Sequence, residues 1–151
     1  KNWVRQPPSF LLEEECHRNM AFTLYHADQM PLVKVQSVAA RPLGDGLVEV
    51  TAIVVNERVT PTHSAADLKN KITPPDVVSI EGKDLKVITG MHSDDQFFIR
   101  PEVQRREPAR IKVPSIGGMS PIYIRWIVQG AAPYIVRVKS IKGGIDQAVS
   151  K

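Results

Sequence analysis

Residues 122–141 read IYIRWIVQGAAPYIVRVKSI, two β-type segments around a turn-like centre. In both segments apolar side chains alternate with polar or exposed ones, which predicts strands with one buried face. The residues predicted to point inward are Ile122, Ile124, Trp126, Val128, Tyr134, Val136 and Val138. The centre, Gln129-Gly130-Ala131-Ala132-Pro133, predicts a turn that separates two strands.

From Leu32 onward, the rest of the chain has the same pattern of short β-type segments separated by turn-type residues. The further predicted strands are Leu32–Val38, Leu47–Val55, Val77–Ile80, Leu85–Ile88 and Ile111–Val113. Gly44-Asp45-Gly46 predicts a hairpin connection, and Glu81-Gly82-Lys83-Asp84 predicts a turn. Ser64-Ala65-Ala66-Asp67 has the pattern of a capping box and predicts one short helix through about Lys71. Strands that do not alternate with regular helices favour an antiparallel sandwich or barrel.

One long helix is predicted near the amino-terminal end, because 22 residues between Pro8 and Pro31 contain neither glycine nor proline. Side chains at spacings of three and four form a stripe on one face. The stripe consists of Leu12, Cys16, Met20, Thr23, Leu24 and Ala27. Leu11, Phe22 and Tyr25 fall on the opposite side, so the predicted helix has two apolar faces, whereas an ordinary surface helix has one.

Length and composition are those of a globular chain of 151 residues with 42% hydrophobic residues and a net charge of +4. No apolar run approaches the roughly 18 residues that a membrane span needs, and no membrane partner is expected. The single cysteine, Cys16, excludes an internal disulfide framework, and it is expected to be a buried structural thiol. The sequence opens Lys1-Asn2-Trp3 without an initiator methionine or a leader, which predicts a processed or excised piece.

The residue types that carry catalysis do not form a recognisable motif. Four histidines are present without any of the zinc-helix spacings, and His92-Ser93-Asp94-Asp95 is the nearest approach to a cation-binding loop. No phosphate-binding glycine loop and no Gly-x-Ser-x-Gly elbow occurs. We therefore predict no catalytic residue, no metal ligand and no cofactor in this chain.

Positive charge is concentrated in the last third of the sequence. Residues 101–151 hold nine Lys and Arg against three acids, a net charge of +6. In the strand interpretation Arg125, Arg137 and Lys139 point outward and form a basic face that could contact nucleic acid or an acidic polymer. A solvated strand face is the simpler interpretation, and nucleic acid is disfavoured because no aromatic-rich RNA signature accompanies the charge.

Several segments resemble a known family. Residues 7–19, PPSFLLEEECHRN, continuing to 26–31, HADQMP, look like the end of the catalytic domain in bacterial zinc carboxypeptidases of the carboxypeptidase A type. Residues 54–62, VVNERVTPT, and 140–144, SIKGG, are similar to pieces of the β-sandwich domain that follows it in such metallopeptidases. The resemblance implies a zinc hydrolase that acts in proteolysis as the parent protein, with secretion or a periplasmic location.

The chain differs from that family in the residues that bind zinc. The family's zinc is held by a His-x-x-Glu pair and a distant histidine, with a glutamate as general base. The residues three positions after the four histidines are Met20, Gln29, Ala66 and Asp95, so the pair is absent. The resemblance therefore implies a non-catalytic carboxy-terminal fragment, and zinc belongs only to the parent catalytic domain.

The expected architecture is mainly β, an antiparallel sandwich of the Ig-like or transthyretin-like kind preceded by one long amino-terminal helix. Residues 1–31 would be the last helix segment of a catalytic domain, and residues 32–151 an accessory sandwich for folding, interdomain packing or substrate presentation. In this hypothesis the Leu12 stripe packs on the sandwich, while Leu11, Phe22 and Tyr25 contact the missing catalytic domain or mediate self-association.

Two other hypotheses stay open from the sequence. One is a free-standing sandwich that binds carbohydrate or protein, with Trp3, Tyr123 or Tyr134 as an exposed stacking surface. The other is a basic nucleic-acid-binding barrel that uses Arg125, Arg137 and Lys139.

Overall fold

The longest strand of the molecule, β6 (Pro121–Ser140), pairs with three other strands. The computed structural model describes residues 7–150. The first half of β6 lies antiparallel between β2 (Leu47–Asn56) and β3 (Asp76–Ser93), and its second half between β3 and β7 (Gly144–Val149). The even-numbered side chains of β6 predicted to point inward are buried, as the alternation indicates.

Two predicted turns are wrong, because β3 and β6 are continuous bent strands. Pairing between them continues across the bend, where Lys83 lies opposite Ala131. Gly130 has a φ of +139°, and a Cβ there would lie 3.1 Å from the Asp84 carbonyl oxygen, so glycine suits this position. The turn-type residues at 81–84 and 129–133 thus bend the strands without ending them.

The bends divide the strands into two layers. The first layer holds β1 (Val33–Gly44), β2, the first half of β6, the second half of β3 and β4 (Glu102–Val103). The second layer holds β5 (Arg110–Val113), the first half of β3, the second half of β6 and β7, a strand that the sequence did not predict. The predicted mainly β, antiparallel sandwich-like fold with one amino-terminal helix is confirmed.

One core lies between the layers, built from valine and isoleucine of both layers around Trp126. The indole Nε1 of Trp126 donates a hydrogen bond of 2.9 Å to the carbonyl oxygen of Pro108. Gly90 lies beneath the ring, where a Cβ would come within 2.3 Å of the same carbonyl oxygen. The connection from β4 to β5 is therefore held tightly against the core.

The amino-terminal segment forms a short 3-10 helix (Ser9–Leu11) followed by α1 (Leu12–Asp28). None of the residues of α1 is buried, and in the described part of the chain α1 has no extensive contact with any strand. The prediction that the Leu12 stripe packs on the sandwich is wrong, and Cys16 is exposed rather than buried. The physical reason is that only the end of α1 touches the sandwich. Among the described residues, no helix has the length and apolar character to cross a membrane.

A second helix, α2 (Ala65–Asn70), follows β2 and begins as the capping box predicts. The Ser64 hydroxyl accepts a hydrogen bond of 3.2 Å from the amide of Asp67. Lys71 ends the helix in a left-handed conformation with a φ of +50°. The loop that follows leads through Pro74 and Pro75 into β3.

Candidate functional site

A group of hydrogen-bonded polar side chains lies where α2, the start of β3 and the β6–β7 turn meet. We call it the His63 cluster, and its members are His63, Asp67, Thr73, Asp76 and Lys142. Of these, His63, Asp67 and Asp76 are buried, Thr73 is half-buried and Lys142 is exposed. His63 precedes the capping residue of α2, Asp67 lies in the first turn of that helix, and Asp76 is the first residue of β3. The cluster therefore joins three segments that are distant in sequence.

Asp67 is the acceptor at the centre of the cluster. Its Oδ2 accepts hydrogen bonds from the Lys142 ammonium at 2.6 Å and the Thr73 hydroxyl at 2.7 Å, and its Oδ1 accepts one from the Thr73 amide at 2.9 Å. The bonds from Lys142 and Thr73 favour the carboxylate and hold the pKa of Asp67 well below its usual range, against the opposing effect of burial. Asp67 therefore keeps its charge, and Lys142 compensates it.

The imidazole of His63 lies between two carboxylates. Its Nδ1 is 3.2 Å from Asp67 Oδ2, and its Nε2 is 3.3 Å from Asp76 Oδ1. The side chains of all three residues are buried, and Asp76 Oδ2 has no hydrogen-bond partner among the described residues. Each nitrogen of the imidazole therefore faces a carboxylate oxygen within hydrogen-bond distance.

A cavity of about 570 Å³ opens beside the cluster, and Thr73 is one of the residues that line it. Thr73 Oγ1 is also 3.1 Å from His63 Nδ1, so hydroxyl, imidazole and Asp76 carboxylate follow one another as in a nucleophilic triad. The hydroxyl donates to Asp67, however, and not to the imidazole. The hydrogen bonds of the cluster link α2, the start of β3 and the β6–β7 turn.

Among the described residues, neither the cluster nor the segment 92–95, the nearest approach to a cation-binding loop in the sequence, brings three potential metal ligands together. In residues 7–150 no three His, Cys, Asp or Glu side chains converge as metal ligands. In that segment, Asp95 Oδ2 accepts a hydrogen bond of 3.0 Å from the amide of Ile99, and His92 Nε2 lies 3.7 Å from Glu102 Oε2. Asp95 thus contacts its own loop, and His92 contacts the neighbouring strand β4.

The residues predicted to contact another domain lie on the exposed helix. Phe22 is 66% and Tyr25 62% exposed, and Leu11 is half-buried in the preceding 3-10 helix. Phe22 and Tyr25 line a shallow cleft of about 250 Å³ against Val59 and Thr60. The structure thus places two of the three predicted residues side by side on one open surface.

The end of α1 is fixed to the loop that follows β2. Arg58 Nη2 lies 3.0 Å from Asp28 Oδ1, and the amide of Thr60 donates to the carbonyl oxygen of Gln29 at 3.2 Å. These contacts orient the helix relative to the sandwich while leaving its sides uncovered.

The three residues of the predicted basic face do not form one surface. Arg137 and Lys139 line the same cavity of about 630 Å³ on the outer side of the second layer. Arg125 does not line it, because it lies on the first half of β6. Its guanidinium carbon is 4.0 Å from the centre of the Phe98 ring, and its Nε is 3.3 Å from Glu49. The charge of Arg125 thus interacts with the Phe98 ring and the Glu49 carboxylate.

Of the three aromatic residues predicted as a stacking surface, the structure describes Tyr123 and Tyr134. Tyr134 is buried, and its hydroxyl donates to the carbonyl oxygen of Gly130 at 2.9 Å, so that prediction is wrong for Tyr134. Tyr123 is half-buried on the first half of β6. Trp3 lies outside the described residues.

Sequence reasoning missed the His63 cluster. Its members are spread over residues 63–142, and the pairing of β3 with β6 brings Asp76 and the β6–β7 turn together. One signal was present, since His63 directly precedes the capping box that contains Asp67. A histidine at that position has short-range access to the carboxylate four residues on, but the roles of Asp76 and Lys142 depend on the fold.

Comparison with known proteins identifies a family for the sandwich. A family model described as "Domain of unknown function (DUF8731)" matches residues 32–151. The match begins just after α1 has ended. No curated protein and no solved structure matches the chain.

The lowered pKa of Asp67 makes a stability prediction. An unfolded aspartate titrates near 3.9, so the contribution of Asp67 is present above about pH 4 and is lost as the pH falls toward its lower folded value. Asp67→Asn should therefore lose less unfolding free energy between pH 7 and pH 3 than the wild type does in urea titrations. Asp45→Asn, in the exposed β1–β2 turn, is the matched control and should keep the wild-type loss. A wild-type pH dependence in Asp67→Asn would contradict the assignment.

Proposed function

The chain belongs to the DUF8731 family through residues 32–151, and from that premise we propose that it is a non-catalytic accessory module. In this proposal the sandwich-like body is the stable unit, and α1 packs against a neighbouring domain. One observation carries the proposal, namely that α1 exposes apolar side chains on both faces and buries none of its residues.

The exposure of α1 is unusual for a helix of 17 residues. Leu12, Met20 and Leu24 on one side and Phe22 and Tyr25 on the other are each at least half exposed. Helices of this length are marginal in water unless an apolar face packs against another surface. A contiguous apolar surface of this kind is typical of a contact site. The helix therefore fits a partner surface that covers both sides.

The boundary of the family match supports separate roles for α1 and the sandwich-like body. The match starts at residue 32 and leaves α1 outside the family's domain. A helix that belonged to the sandwich would contribute to its core, yet the core holds residues from Val33 onward only. We therefore assign α1 to the contact with the neighbour, and the body to support of that contact.

We propose that the neighbour is the catalytic domain of a zinc carboxypeptidase of the carboxypeptidase A type. The support is the resemblance of residues 7–31 to the last helix of such a domain, together with the missing His-x-x-Glu pair. The zinc would be held by the neighbour, and the described part of this chain supplies no cluster of metal ligands. Secretion or a periplasmic location follows only from this resemblance.

The exposed face of α1 predicts association of the full chain. Wild-type protein should bind a hydrophobic dye and self-associate in sedimentation experiments, because Phe22 and Tyr25 lie open to solvent. Phe22→Ser with Tyr25→Ser should reduce both signals and change the unfolding free energy of the body by less than about 0.5 kcal/mol. Phe97→Ser with Ile99→Ser removes two apolar side chains that are even more exposed, in a loop, and should leave association unchanged. A strictly monomeric wild type without dye binding would contradict the proposal.

The non-catalytic role predicts an inactive chain. Purified protein with added zinc and a peptide substrate should release no carboxy-terminal residue over hours, while a carboxypeptidase A-type enzyme releases it under the same conditions. The reason is that zinc hydrolysis needs ligands that hold the metal and a base beside the bound water. Zinc-dependent release that survives purification to homogeneity would overturn the proposal.

A further inference from the structure

Two cavities lie side by side on the outer surface near β5 and share Pro74 and Pro75 as their common wall. We call them together the proline groove. Their volumes are about 570 and 630 Å³, each within the range of pockets that hold ligand groups. The groove lies in the second layer and does not include α1.

The groove is positively charged. Lys71 and Lys112 line the first cavity, and Arg110, Arg137 and Lys139 line the second. In the part of the chain that the structure describes, none of these five side chains forms an ion pair.

Two carboxylates also line the groove and leave its net charge positive. Asp67 is already bound by Lys142 and Thr73, and Glu81 is exposed in the second cavity. A row of cations without partners attracts negative groups.

Arg137 is held in place for such a group. Its Nε and Nη2 both donate to Gln147 Oε1, at 3.2 and 3.0 Å. Gln147 is neutral, so it orients the guanidinium without cancelling its charge. Of the five N–H groups of an arginine, those on the outer edge remain open to a carboxylate.

The walls between the cations are apolar. Leu68 and Ile72 line the first cavity, and Val77 and Ile141 line the second. Leu68, Ile72 and Ile141 are largely exposed although they are large hydrophobic residues. A ligand that fits the groove therefore carries apolar groups between its negative charges.

We propose that the proline groove binds an extended acidic peptide segment in which apolar and acidic side chains alternate. Side chains of an extended chain point alternately to opposite sides, so a chain that lies edge-on along the groove can turn its acidic side chains toward the cations on one side and its apolar side chains toward the apolar walls on the other. A nucleic acid fits less well, because no described Phe, Tyr or Trp lines either cavity for base stacking, and the imidazole of His63, which lines the first, is buried. The inference is independent of the proposed role of α1.

The test uses the full chain and a fluorescein-labelled eight-residue peptide of alternating glutamate and leucine, measured by fluorescence anisotropy at low salt. We expect binding that weakens as salt is added. Arg137→Gln with Lys139→Gln should weaken it about tenfold or more, because two charge-assisted contacts are lost. Arg18→Gln with Arg41→Gln removes the same charge from α1 and β1 and should weaken it less than about twofold.

A second variant blocks the groove without changing its charge. Ser79 lines the second cavity, and Ser79→Trp should fill that cavity and weaken peptide binding as much as the loss of the two cations does. Thermal unfolding confirms that each variant is folded before binding is compared.

Four results would each overturn the inference. They are no peptide binding by the wild type, equal losses in the control variant, wild-type affinity in folded Ser79→Trp, or equal binding of the same peptide with glutamine in place of glutamate. Tighter binding of a single-stranded oligonucleotide, lost in the same variants, would assign the groove to nucleic acid instead.

Discussion

The unbroken backbone of β6 is the constraint on which the rest of the structure depends. Its residues 121–129 pair in the first layer and its residues 135–140 in the second, with β3 beside it throughout. The side chains keep the same alternation on both sides of the bend, from Ile124 and Trp126 to Val136 and Val138. Because one strand supplies both layers, the two inner faces close on a single core.

The His63 cluster positions the segment between β2 and β3, which strand pairing does not hold. The segment between β2 and β3 has only one short helix, and its position depends on Asp67 as the shared acceptor for Thr73 and Lys142. Buried charged groups are stable only when they are paired and hydrogen-bonded, and Asp67 meets that condition. The same contacts hold Pro74 and Pro75, which follow Thr73, at the wall between the two cavities. The hydrogen bonds of the His63 cluster therefore also shape the proline groove.

Much of the fold could be predicted from local patterns. Alternation identified the inward side chains of β6, and the capping box at Ser64 identified the start of α2. The sequence suggested turns at 81–84 and 129–133 because glycine and proline end most strands, whereas here the two bends lie opposite each other and keep their pairing. The His63 cluster and the separation of Arg125 from Arg137 depend on which strands are neighbours, and no local pattern contains that information.

We propose that the body is the folded unit and α1 an appended contact helix, and amide hydrogen exchange in the full chain measures that division most directly. Exchange in α1 requires only local opening, since α1 buries none of its residues, whereas exchange in the centre of β6 requires opening of the whole body. We expect the amides of α1 to exchange at least about a hundredfold faster than those of Ile124 to Val128. Equal protection in α1 and β6, in protein shown to be monomeric, would mean that the helix is part of the folded body and would contradict the account.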